Sequence, residues 1–127
     1  MKTLHIFLVV VLMLMSCTGL LKSDDVKYFI PGTFLSTWKT EFSESTDTIT
    51  IEPQIKHGSE AYAITRRTRT IFFNDGRRAD PDYKIRNLTA YYDPERKTLL
   101  IENDGSILSF DIDKKEMKRG SIAYRKM

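Results

Sequence analysis

The chain has 127 residues, with 20 Lys or Arg against 17 Asp or Glu, one cysteine and two histidines. That length suits one domain around one core. A single cysteine excludes an internal disulfide, two histidines exclude a zinc site built from several His or Cys ligands, and a formal net charge of +3 is too small to point to nucleic acid.

In chain order, Lys2 supplies a positive start, Ile6 to Met15 is an unbroken apolar run, and Leu14-Met15-Ser16-Cys17 closes it. The last four residues resemble a bacterial lipobox: a branched apolar residue, a tolerated apolar residue, a small residue, then the cysteine. The resemblance implies that residues 1–16 are a lipoprotein signal peptide cut before Cys17. It implies also that Cys17 carries diacylglycerol and further acyl chains, palmitate among them, which together make a durable anchor. Leu4 to Leu21 reads alternatively as a marginal span, but its clean apolar run falls short of the roughly 20 residues a span needs. A plain secretory signal is the other alternative. A lone Cys at the cleavage point is accounted for by lipidation. The expected address is extracytoplasmic: the bacterial cell envelope, periplasm-facing or outside, with outer membrane favoured over inner.

Thr18 to Lys27 shows no sustained period and is expected to be a flexible spacer, so residues 17–27 are the tether and residues 28–127 the domain. From Tyr28 the signal is alternation. Pro31-Gly32 opens a strand in which Phe34, Trp38 and Phe42 share one parity. Ser43 to Asp47 reads as a turn, and Thr48 to Ile51 alternates up to Pro53. His57-Gly58 marks the next turn. Tyr62 and Ile64 share a face, the chain stays extended through Phe73, and Asn74-Asp75-Gly76 is a strong turn signal. After a loop from Arg77 to Asp82 come Leu88, Ala90 and Tyr92. Asp93-Pro94 turns the chain, Thr98 to Glu102 returns it, and Asn103-Asp104-Gly105 turns it again. Leu108 and Phe110 continue the pattern, and a last strand carries Ile122 and Tyr124.

The expected fold is all-β: an antiparallel up-and-down meander of about eight short strands, which hides its edges most easily as a small barrel. An early Gly32 and Trp38, paired Asp-Gly turns and a late Tyr124 resemble the lipocalin-like domains of small bacterial lipoproteins. Eight strands leave room for side chains or one small ligand. Phe34, Trp38, Phe42, Tyr62, Tyr92, Phe110 and Tyr124 are expected to fill that interior.

Arg66, Arg67 and Arg69, with Arg77, Arg78, Lys84 and Arg86 downstream, form a basic ribbon beside an acidic first hairpin. Such a ribbon suits an acidic envelope protein or an anionic glycan, with exposed Tyr91 as a neighbouring aromatic. Its alternative is a solvated face of little consequence. Arg66 shares parity with Tyr62 and Ile64, so it points inward and needs a carboxylate, carbonyls or an anionic ligand. His57 has no nucleophile in a recognisable elbow, no glycine loop fits a phosphate, and no metal or cofactor is expected. Asp47-Thr48-Ile49 resembles an O-glycosylation site of some envelope-rich bacteria.

The function expected is therefore that of a lipid-anchored, non-catalytic binding or accessory protein of the envelope. Its proposed contacts are Arg66, Arg67, Arg69, Arg86 and Tyr91. The alternative is a small-ligand carrier with Trp38, Tyr62 and Arg66 around a ligand inside the barrel.

Overall fold

A computed structural model describes residues 24–56 and 59–127. Cys17 with the lipobox expected there, and the turn expected at His57-Gly58, lie outside the described residues. Asp24 caps a five-residue helix, α1 (Asp25–Phe29), by accepting from the N–H groups of Val26 and Lys27 at 3.1 and 3.2 Å. A flexible spacer through Lys27 is thus not what the described part of that stretch forms. One turn of helix is too short to display an apolar period.

Among the described residues nine strands follow: β1 (Gly32–Lys39), β2 (Ser43–Lys56), β3 (Ser59–Asn74), β4 (Arg77–Arg78), β5 (Asp82–Asp93), β6 (Thr98–Ile101), β7 (Ile107–Asp111), β8 (Glu116–Arg119) and β9 (Ile122–Lys126). Eight of them pair antiparallel with their chain neighbours in a meander, and β9 returns to β1 to close a barrel. β4 stands outside that ring as a short partner of β3. The Asp75-Gly76 turn between them has φ values of 50° and 76°, the left-handed pair that a two-residue hairpin requires. Gly32 opens β1 at φ 145°, a backbone conformation that favours glycine, and a Cβ there would also push aside the Lys126 side chain, whose Cε would lie 2.9 Å away.

Alternation puts one side of every barrel strand inside. Phe34, Ile49, Ile51, Ile64, Ala90, Leu99, Ile101, Leu108, Met117 and Tyr124 are all but completely buried, with Tyr62 and Tyr92 beside them. Met117 marks β8, a strand whose flanking Glu116, Lys118 and Arg119 gave the sequence no apolar partner to alternate with.

α1 stoppers one mouth. Ile30 at its end is fully buried, and Phe29 meets Phe34 and Phe110 edge-on at centroid distances of 5.8 and 6.2 Å. The Tyr92 hydroxyl donates to Asp24, Lys27 pairs with Glu60, and the Lys126 ammonium donates to the Phe29 carbonyl 4.2 Å above that residue's ring. Tyr92 holds the Asp24 carboxyl below its usual range, while burial, and then that same bond, push the Tyr92 phenol above its own.

The strands differ in length, and this shapes the rest. β2, β3 and β5 have 14, 16 and 12 residues, whereas β6 to β9 have four or five. At about 3.3 Å per residue, β3 spans roughly 50 Å and outruns the barrel wall. β1, β2, β3 and β5 therefore continue past the second mouth as an open sheet. Trp38 and Phe42, expected in the core, sit where β1 and its turn have left the barrel, and are 38% and 72% exposed. Phe110 is half-buried. The turn expected at Ser43–Asp47 is displaced to residues 40–42: the Thr40 hydroxyl accepts from the Phe42 and Ser43 N–H groups, and β2 begins at Ser43. Pro53 stays within β2 because β1 has already ended opposite Ile51, where a missing N–H costs no ladder bond.

Candidate functional site

Where the barrel gives way to the open sheet, Asp47 lies wholly buried on β2. Its carboxylate accepts from Arg66 Nε at 3.1 and 3.0 Å, from the Thr68 hydroxyl at 3.1 Å and from the Tyr124 hydroxyl at 2.6 Å, while the Arg66 terminal nitrogen stands 3.0 Å away. Arg66 does point inward, and Asp47 is the carboxylate it needs. Burial works against the Arg66 charge, yet the hydrogen bond and charge of Asp47 leave the guanidinium held above its ordinary range. Burial first, then Asp47, also hold the Tyr124 phenol above the usual phenol range. This network roofs the apolar core, and no capacity remains on Asp47 to serve a ligand. Arg119 Nε is shielded nearby with no hydrogen-bond acceptor among the described residues.

The sign of the resulting pH dependence follows from the phenols. Tyr62, Tyr92 and Tyr124 all hold their protons more tightly folded than unfolded. Their contribution is complete below about pH 10 and is lost as pH rises above it, because the unfolded phenols ionise first. The urea midpoint is expected to fall between pH 9 and pH 11, and Tyr124→Phe is expected to flatten that fall. An unchanged slope in that variant would remove Tyr124 from the account.

Beyond this roof the open sheet has two faces. On the concave face, Arg66 and Arg86 stand directly opposite each other, Thr68 faces Lys84 and Thr70 faces Asp82. These six, with Phe72, line a trough of ≈ 240 Å³. Like charges directly opposed are unfavourable, but Asp47 already neutralises Arg66, so Lys84 and Arg86 carry the excess. The convex face bears Arg67 opposite Ile85 and Arg69 opposite Tyr83. At the tip, Glu44 pairs with Arg78 at 3.1 Å, and Lys39 and Arg78 both lie over the Phe73 ring.

The expected contact residues are therefore divided. Arg66 and Arg86 share the concave face, Arg67 and Arg69 the convex one. Tyr91 is exposed as expected, but it stands eight residues along β5 from Tyr83, roughly 26 Å at the usual strand rise, and donates to Glu102 at 3.4 Å. Tyr83, 66% exposed, is the aromatic beside Arg69. Its signal in the sequence was the alternation of Tyr83, Ile85 and Asn87 with Lys84 and Arg86, masked by the Arg- and Asp-rich loop ahead of it. The interior trio is not brought together: Trp38 lies level with Thr70 through Ser45, again roughly 26 Å along β3 from Tyr62. Thr48 is half-buried on β2, and its neighbour Asp47 is committed to Arg66.

Among the described residues no three His, Cys, Asp or Glu side chains converge as metal ligands, and no helix is long and apolar enough to cross a membrane. No family model, no curated protein and no solved structure matches this chain.

Proposed function

We propose that this protein is a lipid-anchored, non-catalytic binding component of the bacterial cell envelope, held on the extracytoplasmic side by Cys17 and contacting an acidic partner protein through its projecting sheet. The barrel is read as lipocalin-like in strand order, with its interior given over to packing. One observation carries the proposal. No carboxylate among the described residues comes within 4 Å to pair with Arg67, Arg69, Lys84 or Arg86, and all four are exposed on a sheet that stands clear of the barrel. Cations so placed raise the encounter rate with an acidic surface and set its register.

Cross-linking and capture from intact envelopes tests this, with Arg67, Arg69, Lys84 and Arg86 reversed to Glu and Arg66 left alone because it supports the fold. One stoichiometric protein partner, lost on reversal, is the expected result. Capture indifferent to the reversal, or recovery of an anionic glycan in place of a protein, would count against it. Cys17→Ser is expected to release the protein from membranes, and retention there would favour an uncleaved span.

A further inference from the structure

We infer that the partner adds a β-strand to the free edge of β5, and that this strand alternates acidic with apolar side chains. The inference rests on the acidic-partner reading and says how that partner is held.

β6 covers β5 only from Ala90 to Asp93. At Thr89, the next residue back, the N–H donates to Asn103 Oδ1 at 3.2 Å and the carbonyl accepts from the Glu102 N–H at 2.9 Å. Both backbone groups of Thr89 thus point away from β3. Strand geometry has a period of two, so Asn87, Ile85 and Tyr83 point their N–H and C=O groups the same way. No strand lies there among the described residues. Three donors and three acceptors line up along one open edge, a template for an added strand.

The side chains state what that strand must carry. Tyr83 and Ile85, 66% and 64% exposed, form an apolar row on the convex side. Lys84 and Arg86 form a cationic row on the concave side, without ion pairs among the described residues. A neighbouring strand sets alternate residues against each row, so acids belong opposite Lys84 and Arg86, and apolar side chains beside Tyr83 and Ile85.

Charge argues against a second copy of this chain in that place. Two β5 edges paired antiparallel about Ile85 would set Lys84 of each copy opposite Arg86 of the other. Paired about Lys84, they would oppose two lysines, and although Asp82 then meets Arg86 the row stays net positive. Proteins guard exposed edges with charge, bulges or short strands. This edge carries no bulge in its register with β3, and its guard is cationic, which repels a copy and admits an acidic strand.

The test uses the full-length chain in detergent with two synthetic heptapeptides of equal composition, one alternating glutamate and valine, the other with the two residue types in blocks. With the alternating peptide, amide exchange at Tyr83, Ile85 and Asn87 is expected to slow by about tenfold or more, while Lys84 and Arg86, which point at β3, stay unchanged. The block peptide should protect none of them. Ile85→Pro removes one outward N–H and leaves the β3 ladder intact, and it is expected to weaken peptide binding about tenfold, as is Lys84→Glu with Arg86→Glu. If only the charge reversal weakens binding, the acidic-partner reading survives and strand addition is overturned. If neither variant does, or the three amides stay unprotected, strand addition fails. A dimer that Ile85→Pro dissolves would replace the acidic partner with a second copy. The exchange measurement needs no variant, so it decides even if Ile85→Pro does not fold.

Discussion

Asp47→Ala is expected to destabilise the fold by about 3–5 kcal/mol, the cost of breaking a buried ion pair by removing one partner. The carboxylate is fully buried and takes hydrogen bonds from Arg66, Thr68 and Tyr124, so its loss strands a guanidinium and two hydroxyls together. Arg66 keeps 18% side-chain exposure, which places the effect toward the lower end of that range. Removing both charges tests the cause: Asp47→Ala with Arg66→Met is expected to be milder than Asp47→Ala alone, since no unpaired charge remains. Urea unfolding followed by far-UV circular dichroism gives both numbers. A double variant worse than the single one would mean that packing, not charge, dominates at the roof.

Phe34→Ala is expected to cost about 3–5 kcal/mol for a different reason. The ring is completely buried, meets Phe29 at 5.8 Å and Phe110 at 6.0 Å edge-on, and has the Lys126 ammonium 5.6 Å from its centroid. The cavity would open directly beneath α1. Exchange of the α1 amides should therefore quicken more than that of β3, and equal acceleration across the molecule would show that the helix is not docked through this ring.

Strand ends are what alternation in this chain leaves hidden. Parity was legible almost throughout: Phe34, Tyr62, Tyr92 and Tyr124 point inward as alternation requires, and Arg66 points with them. Trp38 obeys the same parity, but β9 pairs β1 only at Phe34 and Leu35, so its inward side opens onto solvent, while Phe42 falls in the turn after β1, where the parity of the strand no longer applies. Alternation tells which side a residue faces. It does not tell whether a neighbouring strand still runs alongside. Asp47 was hidden for a related reason. Ser43-Glu44-Ser45-Thr46-Asp47 has the composition of a turn, whereas in the fold Ser45 and Asp47 are buried at a polar roof that only the partner strands supply. The division of the arginines between two faces was readable from Arg66 and Arg67 being adjacent. The free edge of β5 was not, because it depends on β6 being only four residues long.

The short ladder between β1 and β9 sets the order in which this molecule assembles. Two residue pairs, Phe34 with Lys126 and Leu35 with Arg125, join the first strand to the last, while the other barrel strands pair with neighbours close to them in the chain. Bringing the two ends together costs the largest loop entropy in the chain and is rewarded by only two ladder pairs, no more than join β6 to β7. The seam should zip last during folding and breathe first afterwards.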